Sequence, residues 1–287
     1  MGGQFRLSVF GATFRQGIGL TNGSRMNPVT VYFLHDESNT QAQITEFLKP
    51  YYRLITENLN FSFVGLKTKE LYAQIDARLE TTPFDFLLIQ HDGQLELFDA
   101  QKRRIRIDFD NDKINYNRKV IAKDPFLRAI GQNRKNVLDV SAGLAIDSIF
   151  LSQHGHNVTA VERNPLLYTL LNHAKERSEY LKKRNVDFKF ADAKSFVQSL
   201  SRDDFDCIYF DPMFPDKVKS ALPKQEMVLF RQLVGSDADA AELLDTLMKT
   251  GSRIVVKRPA YAEPIGFKPT NAFESKLLRF DIYENYK

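Results

Sequence analysis

Four residues that could do chemistry recur where predicted strands end. Gly143 follows the apolar run Val137-Leu138-Asp139-Val140, and Glu162 comes 19 residues later, after Asn157–Val161. Asp192 follows Val186–Phe190, and Asp211 closes Phe205-Asp-Cys-Ile-Tyr-Phe210. In an open α/β sheet ligands bind at the carboxyl edge, where such residues are presented. A glycine there lets a ligand approach the backbone. An acid after the second strand would take two ribose hydroxyls, and one after the third would accept from an adenine amine. Asp211-Pro212, with Phe214 two residues beyond the proline, offers a carboxylate, a carbonyl and an aromatic ring together. Pro212 ends the strand, because it lacks a donor and biases Asp211 away from helix. Each acid alone is an ordinary turn or cap residue; in register at consecutive strand ends they make a candidate site.

Two cofactor classes compete for this edge. A dinucleotide needs Gly-x-Gly-x-x-Gly around its pyrophosphate. Gly143-Leu-Ala-Ile-Asp147 has one glycine, and an acid where phosphate would lie. S-adenosylmethionine has no phosphate and carries a sulfonium cation, so acids and a single glycine suit it better. Asp139 and Asp147 are counted with the cofactor candidates. The tetrapeptide Asp211-Pro212-Met213-Phe214 resembles the Asp/Asn-Pro-Pro-aromatic motif of methyltransferases that act on exocyclic amines. Other chemistries have less support. Cys207 lies inside an apolar strand and reads as a buried hydrophobe, which argues against cysteine-dependent pyrimidine methylation. His154 and His156 lack partner ligands, so no metal site is expected. Ser141 has no histidine at a motif spacing and reads as a turn residue.

The elements that must carry these residues alternate strand with helix. After the strand at 137–140 a helix is expected with Ile146, Ile149, Phe150 and Leu151 inward, ending at Gly155. Asn164-Pro165 marks the start of the next helix. Leu167, Leu170, Leu171, Ala174 and Leu181 form its apolar face, and Lys182-Lys183-Arg184 suits its end. A short helix over 194–200, another over 238–249, a fifth strand over 253–257 and a strand-like stretch over 276–283 complete the pattern. Repeated βαβ units predict a doubly wound, mainly parallel sheet. The N-terminal third reads as a small α/β unit without a chemical motif. Its expected strands are 29–34, 84–90, 94–98 and 104–109, with a hairpin at His91-Asp92-Gly93 and helices over 41–55 and 67–79. Residues 1–28 hold three arginines and no acids. They read as a disordered extension, upstream of a start at Met26, with an organellar presequence as the alternative. The expected domains are 29–110 and 111–287.

Composition bounds the partners. The 287 residues are 43% hydrophobic and 26% charged, as in a globular protein, and no apolar run is long enough to span a membrane. One cysteine excludes an internal disulfide framework and fits a cytoplasmic setting. Between Gln101 and Lys135, eleven Lys/Arg face four Asp, a local +7 in a chain of net +4. A basic segment on a near-neutral body predicts a polyanionic partner. Arg103, Arg104 and Arg106 belong to it. Lys217, Lys219, Lys224, Lys257 and Arg258 flank the candidate edge and would hold phosphates around a target nucleotide.

Several segments together resemble the ribosomal RNA small subunit methyltransferase J family. They are Leu138-Asp-Val-Ser-Ala-Gly-Leu-Ala, Val161-Glu-Arg-Asn-Pro, Tyr209-Phe-Asp-Pro-Met-Phe-Pro, Lys219-Ser-Ala-Leu, Lys224-Gln-Glu-Met, Val255-Val-Lys-Arg-Pro and Arg279-Phe-Asp-Ile-Tyr. The match is ordered and covers roughly residues 104–283. It implies a class I, Rossmann-like S-adenosylmethionine-dependent fold and methylation of the exocyclic N2 of one guanine in bacterial 16S rRNA. By position it places the cofactor at Ile146-Asp147, Glu162-Arg163, Asp192-Ala193 and Asp211. Ile146 stands where the family often has Arg, and Asp192-Ala193 where it often has a Ser pair. Tyr116-Asn-Arg-Lys-Val-Ile-Ala-Lys replaces a glycine-rich basic stretch. The expected partner is small-subunit rRNA or the assembled subunit. Asp211, Pro212 and Phe214 would be catalytic, the first two accepting the amine's N–H groups and the third stacking on the base. Adenine-N6 methylation and a non-catalytic RNA-binding protein are the alternatives.

Overall fold

The computed structural model describes residues 30–36, 60–66, 73, 76, 77, 86–91, 93–111, 124–202, 204–214, 225–235 and 237–284. The chain divides after Arg106 into two compact units. The expected extension at 1–28, the helix over 41–55, the Tyr116–Lys123 stretch, and Lys217, Lys219 and Lys224 lie outside the described residues. So does the helix expected over 67–79, apart from Ala73, Asp76 and Ala77, which are helical.

The first unit carries five strands: β1 (Thr30–Asp36), β2 (Asn60–Leu66), β3 (Phe86–His91), β4 (Gln94–Phe98) and β5 (Arg104–Arg106), in the order β2-β1-β3-β4-β5. β1 runs parallel to β2 and β3, and the β3–β4 hairpin turns at the expected place. β5 stops at Arg106, short of the expected Phe109. Phe109 instead packs in the second unit, stacked on Phe188, and Asp110 accepts from Ser178 and Tyr180 there.

The second unit is built on β6 (Asn136–Asp139), β7 (Asn157–Glu162), β8 (Val186–Phe190), β9 (Cys207–Phe210), β10 (Arg253–Pro259), β11 (Asn271–Glu274) and β12 (Leu278–Tyr283). Its helices are α1 (Pro125–Ile130), α2 (Ile146–Gln153), α3 (Pro165–Arg177), α4 (Ala193–Gln198), α5 (Gln225–Val234) and α6 (Ala240–Met248). The sheet order is β11-β12-β10-β9-β6-β7-β8. β6 to β10 are parallel, and β12 and β11 close one edge antiparallel.

Alternate residues of each central strand enter different layers. Val137, Tyr209 and Val255 pack on one face with Phe126, Phe150 and Phe280. Leu138, Ile208, Ile254 and Val256 pack on the other with Val197, Leu243, Leu244 and Leu247. The doubly wound sheet follows from strands that are apolar on both faces. α3 shows why these helices form where they do. Asn164 caps it, accepting from the Leu166 and Leu167 amides, and Pro165 opens its first turn. Leu166, Leu167, Leu170 and Leu171 are buried beneath it, each contributing about 1.5–3 kcal/mol. Leu181 lies beyond its end, in a 3-10 turn, but stays buried. Ile146 departs from expectation: it is 48% exposed, because it opens α2 at the rim of a cleft rather than on its inward face.

Candidate functional site

The sheet order reverses at β6, flanked by β7 and β9, and the cleft opens above the carboxyl ends of these strands. Its volume is about 410 Å³, within the range of small-molecule sites. Gly143, Ile146, Asp147, Glu162, Arg163, Asp192, Ala193, Asp211, Pro212, Phe214 and Lys257 all line it, as does Asp139.

The loop after β6 is set by Asp139. This residue is 1% exposed, and its carboxylate accepts from the Ser141 amide (2.9 Å), the Ser141 hydroxyl and the Ser148 hydroxyl. Burial pushes it up to about 6, against those hydrogen bonds. Asp139 therefore shapes the loop from beneath. Gly143 then adopts φ +53°, a left-handed conformation, and a Cβ there would lie 2.9 Å from the Phe230 ring. Its amide donates to Glu162 Oε2 at 3.0 Å, while the Asn164 amide donates to Oε1 at 2.7 Å. Glu162 is 5% exposed, and burial pushes it up to about 7 although both amides and Arg163 favour its charge. Asp192 caps α4 by accepting from the Ser195 amide and hydroxyl.

The turn after β9 is held on three sides. The Asp211 amide donates to the Ser141 hydroxyl at 2.8 Å, and the Met213 amide donates to Asp237 at 2.7 Å. Lys257 Nζ donates to Asp211 and to Asp147, each at 2.8 Å, and the Tyr209 hydroxyl donates to Asp147 at 2.6 Å. Burial raises the Asp211 carboxyl above its ordinary value. The Lys257 ammonium pulls it down, and the Asp147 and Asp237 carboxylates push it up. Lys257 itself is raised: burial lowers it, and the two carboxylates more than offset that. Burial also raises Tyr209 well above the ordinary phenol. Arg163 does not reach into the cleft unpaired, since it donates to Asp237 at 2.8 Å and to the Val234 carbonyl.

The basic candidates separate into different environments. Arg103 is bound to Asp99, within a tight turn. Arg104 and Arg106 project from β5 with half and a third of their side chains exposed, loosely facing Glu96 at 3.7 Å. Lys257, expected on phosphate, is held by two carboxylates. Arg258, also expected there, is buried, with its guanidinium 4.6 Å from the Phe214 ring centroid. Sequence reasoning missed Asp237 and Tyr209 and gave Ser141 only a turn. The single hydroxyl in the otherwise apolar β9 was a signal, because a buried Tyr needs a partner. Cys207 is fully buried, and burial pushes its thiol up to about 12, so it packs as a hydrophobe.

The lining fits S-adenosylmethionine rather than a phosphate ligand. Among the described residues seven carboxylate side chains and four cationic ones face the cleft, a formal surplus of three negative charges. Such a field favours a sulfonium and opposes a pyrophosphate. The close glycine backbone at 143 and the buried Glu162 would hold the ribose end, with Ile146, Ala191 and Leu243 supplying apolar surface. No group of three His, Cys, Asp or Glu that could hold a metal ion occurs among the described residues, and none of their helices is long and apolar enough to cross a membrane.

Comparison with known proteins agrees with this geometry. The family model described as "Putative SAM-dependent methyltransferase" matches residues 71–285. The ribosomal RNA small subunit methyltransferase J of Bdellovibrio bacteriovorus is 42% identical over 194 residues, covering 64% of this chain and 76% of that protein. The protein of the same name from Coxiella burnetii is 35% identical over 218 residues, covering 71% and 85%. The crystal structure of the SAM-dependent methyltransferase NGO1261 from Neisseria gonorrhoeae aligns with a TM-score of 0.59 at 24% identity. It covers 89% of this chain and 96% of that one, and shows the shared fold. An acid-lined cleft, a family model over most of the chain and relatives at this identity lead to one conclusion: the chain belongs to the ribosomal RNA small subunit methyltransferase J family, whose cofactor is S-adenosylmethionine.

Proposed function

We infer that this enzyme methylates the exocyclic N2 amine of a guanine in bacterial small-subunit (16S) rRNA, acting in the cytoplasm on the rRNA or the assembled subunit. The observation that carries the reading is the Asp211-Pro212-Met213-Phe214 turn, which opens into an acid-lined cleft at the sheet's switch point. The relatives' names supply the substrate class. S-adenosylmethionine brings a methyl group already activated on sulfur, so the protein's work is positioning and charge placement. Glu162 and the Gly143 backbone hold the cofactor's ribose end, and Asp192 and Ala193 flank its base. Asp211 Oδ and the Pro212 carbonyl accept the two N–H groups of the target amine. Its lone pair, otherwise delocalised into the purine ring, is thereby turned toward the cleft. Phe214 stacks on the base, which must first leave its helix if it is paired. Arg104 and Arg106, with Lys217, Lys219 and Lys224, take backbone phosphates.

The test is incubation with labelled S-adenosylmethionine and small subunits from a strain lacking the gene, followed by nucleoside analysis. N2-methylguanosine is the expected product. N6-methyladenosine would move the reading to the other exocyclic amine that the same turn can hold. Cofactor binding without any modified nucleoside would favour a non-catalytic RNA-binding role.

A further inference from the structure

We propose that Lys257 is a positioning residue for methyl transfer, its ammonium bridging Asp147 and Asp211 so that the Asp211 carboxylate stays ionised and faces the target amine. This rests on the function proposed above. A lysine that grips phosphate should extend from the surface with its ammonium unpaired. Lys257 does the opposite: its side chain is only 22% exposed, and both hydrogen bonds go to carboxylates at 2.8 Å. The fold delivers it there. Val256 lies opposite Phe210 in the parallel register of β10 and β9, so Lys257 leaves its strand level with Asp211. Asp147 arrives from the first turn of α2.

The need for a cation follows from the surroundings of Asp211. Asp147 faces it from α2, and Asp237 from the connection between α5 and α6; both carboxylates oppose its charge. The Tyr209 hydroxyl donates to Asp147, and the Ser141 hydroxyl donates to Asp139 while accepting from the Asp211 amide. Lys257 is bonded to Asp211 and Asp147, and Arg163 is bonded to Asp237. Two carboxylates that share one ammonium do not both stay ionised without it; Asp147 keeps the Tyr209 hydroxyl, whereas among the described residues Asp211 keeps no side-chain donor, so Asp211 takes up the proton. A protonated Asp211 would present O–H to an amine that must itself donate. One weaker, neutral acceptor oxygen would remain, and the developing positive charge on nitrogen would be left unscreened.

The test begins on cofactor-free protein labelled with carboxyl-¹³C aspartate, with Asp211→Asn identifying the resonance. In Lys257→Met the Asp211 titration should move up by about 1–3 pH units, and Lys257→Arg should restore it. Lys257→Gln serves as the neutral variant should the methionine fail to fold. On small subunits, the acidic limb of the kcat/KM profile should move up by the same amount in the neutral variant and return with arginine. An Asp211 titration unmoved in a folded neutral variant overturns the proposal. So does a rate loss with an unshifted pH profile, since a purely structural role would give that result. Wild-type protein inactive on rRNA would instead overturn the functional reading, while the titration still decides what Lys257 does to Asp211.

Discussion

Cofactor affinity should depend on pH through Glu162, and the dependence can be worked from the structure. In the cofactor-free protein burial pushes this carboxyl up to about 7, so near neutrality it is half protonated. Two ribose hydroxyls need an acceptor, and only the ionised form accepts at both oxygens. Binding therefore selects the carboxylate, and the apparent Kd scales as 1 + 10^(pKa − pH). With a pKa of about 7, Kd should fall roughly tenfold between pH 6 and pH 8 and then level off. At pH 7 binding should release about half a proton from this group, readable as the buffer dependence of the calorimetric enthalpy. The cofactor's own amino group titrates in the same range, so the comparison is with Glu162→Gln, in which only that background remains. Glu162→Gln should also bind roughly ten- to a hundredfold more weakly at pH 8, the worth of hydrogen bonds to a charged group. A wild-type profile that parallels the variant's would refute the reasoning and remove Glu162 from the ribose site.

The same carboxyl sets a stability trend. Because its folded value is raised from 4.5, the folded protein keeps a proton that the unfolded chain has lost. The melting temperature of cofactor-free protein should therefore fall as pH rises from about 4.5 to 7, by up to about 3 kcal/mol in stability, and Glu162→Gln should flatten the fall. Asp211→Ala should cut single-turnover methylation by about 10²–10³-fold with a smaller change in cofactor Kd; a rate within about threefold of wild type would defeat the assignment. Gly143→Ala should lose about 1–3 kcal/mol by chemical denaturation and weaken cofactor binding, because φ +53° is strained for alanine and the Phe230 ring must move. Neutralising Arg104 and Arg106 should flatten the log K against log salt slope for RNA by about 1.4, at about 0.7 per phosphate, whereas Arg103, engaged by Asp99, should add little.

The legible parts of this chain were those written in local pattern. The apolar runs of β6, β7 and β9, the alternation of β8 and the cap-and-proline start of α3 announce themselves within a few residues, and so do acids at strand ends. α1 carries the same signature, Asp124 capping with Pro125 in the first turn, but it is only six residues long and lies in the basic segment between Gln101 and Lys135, where charge masks the pattern. β11 is four residues long with none buried, too short and too exposed for any period to show. β2 and α5 were not foreseen either; α5 buries Leu229, Phe230 and Leu233, a narrow stripe that a ten-residue helix repeats only once. The bond between Lys257 and Asp147 spans 110 residues, and that to Asp211 spans 46. Nothing in the local sequence encodes those pairings. They exist because β10 lies beside β9 and α2 starts above β6, which only the closed sheet decides.

Asp237 has one oxygen on the Arg163 guanidinium and the other on the Met213 amide. One carboxylate thus anchors both the strand end that carries Glu162 and the turn that carries Asp211. A ligand that shifts Arg163 changes how tightly the turn is held, and a base that shifts the turn changes what Arg163 has to leave. Linkage makes any such effect symmetrical: by whatever factor cofactor alters RNA affinity, RNA alters cofactor affinity. With such a shift, order of addition and product release would share one adjustable joint, and constants measured with either ligand alone would differ from those with both bound by that coupling factor.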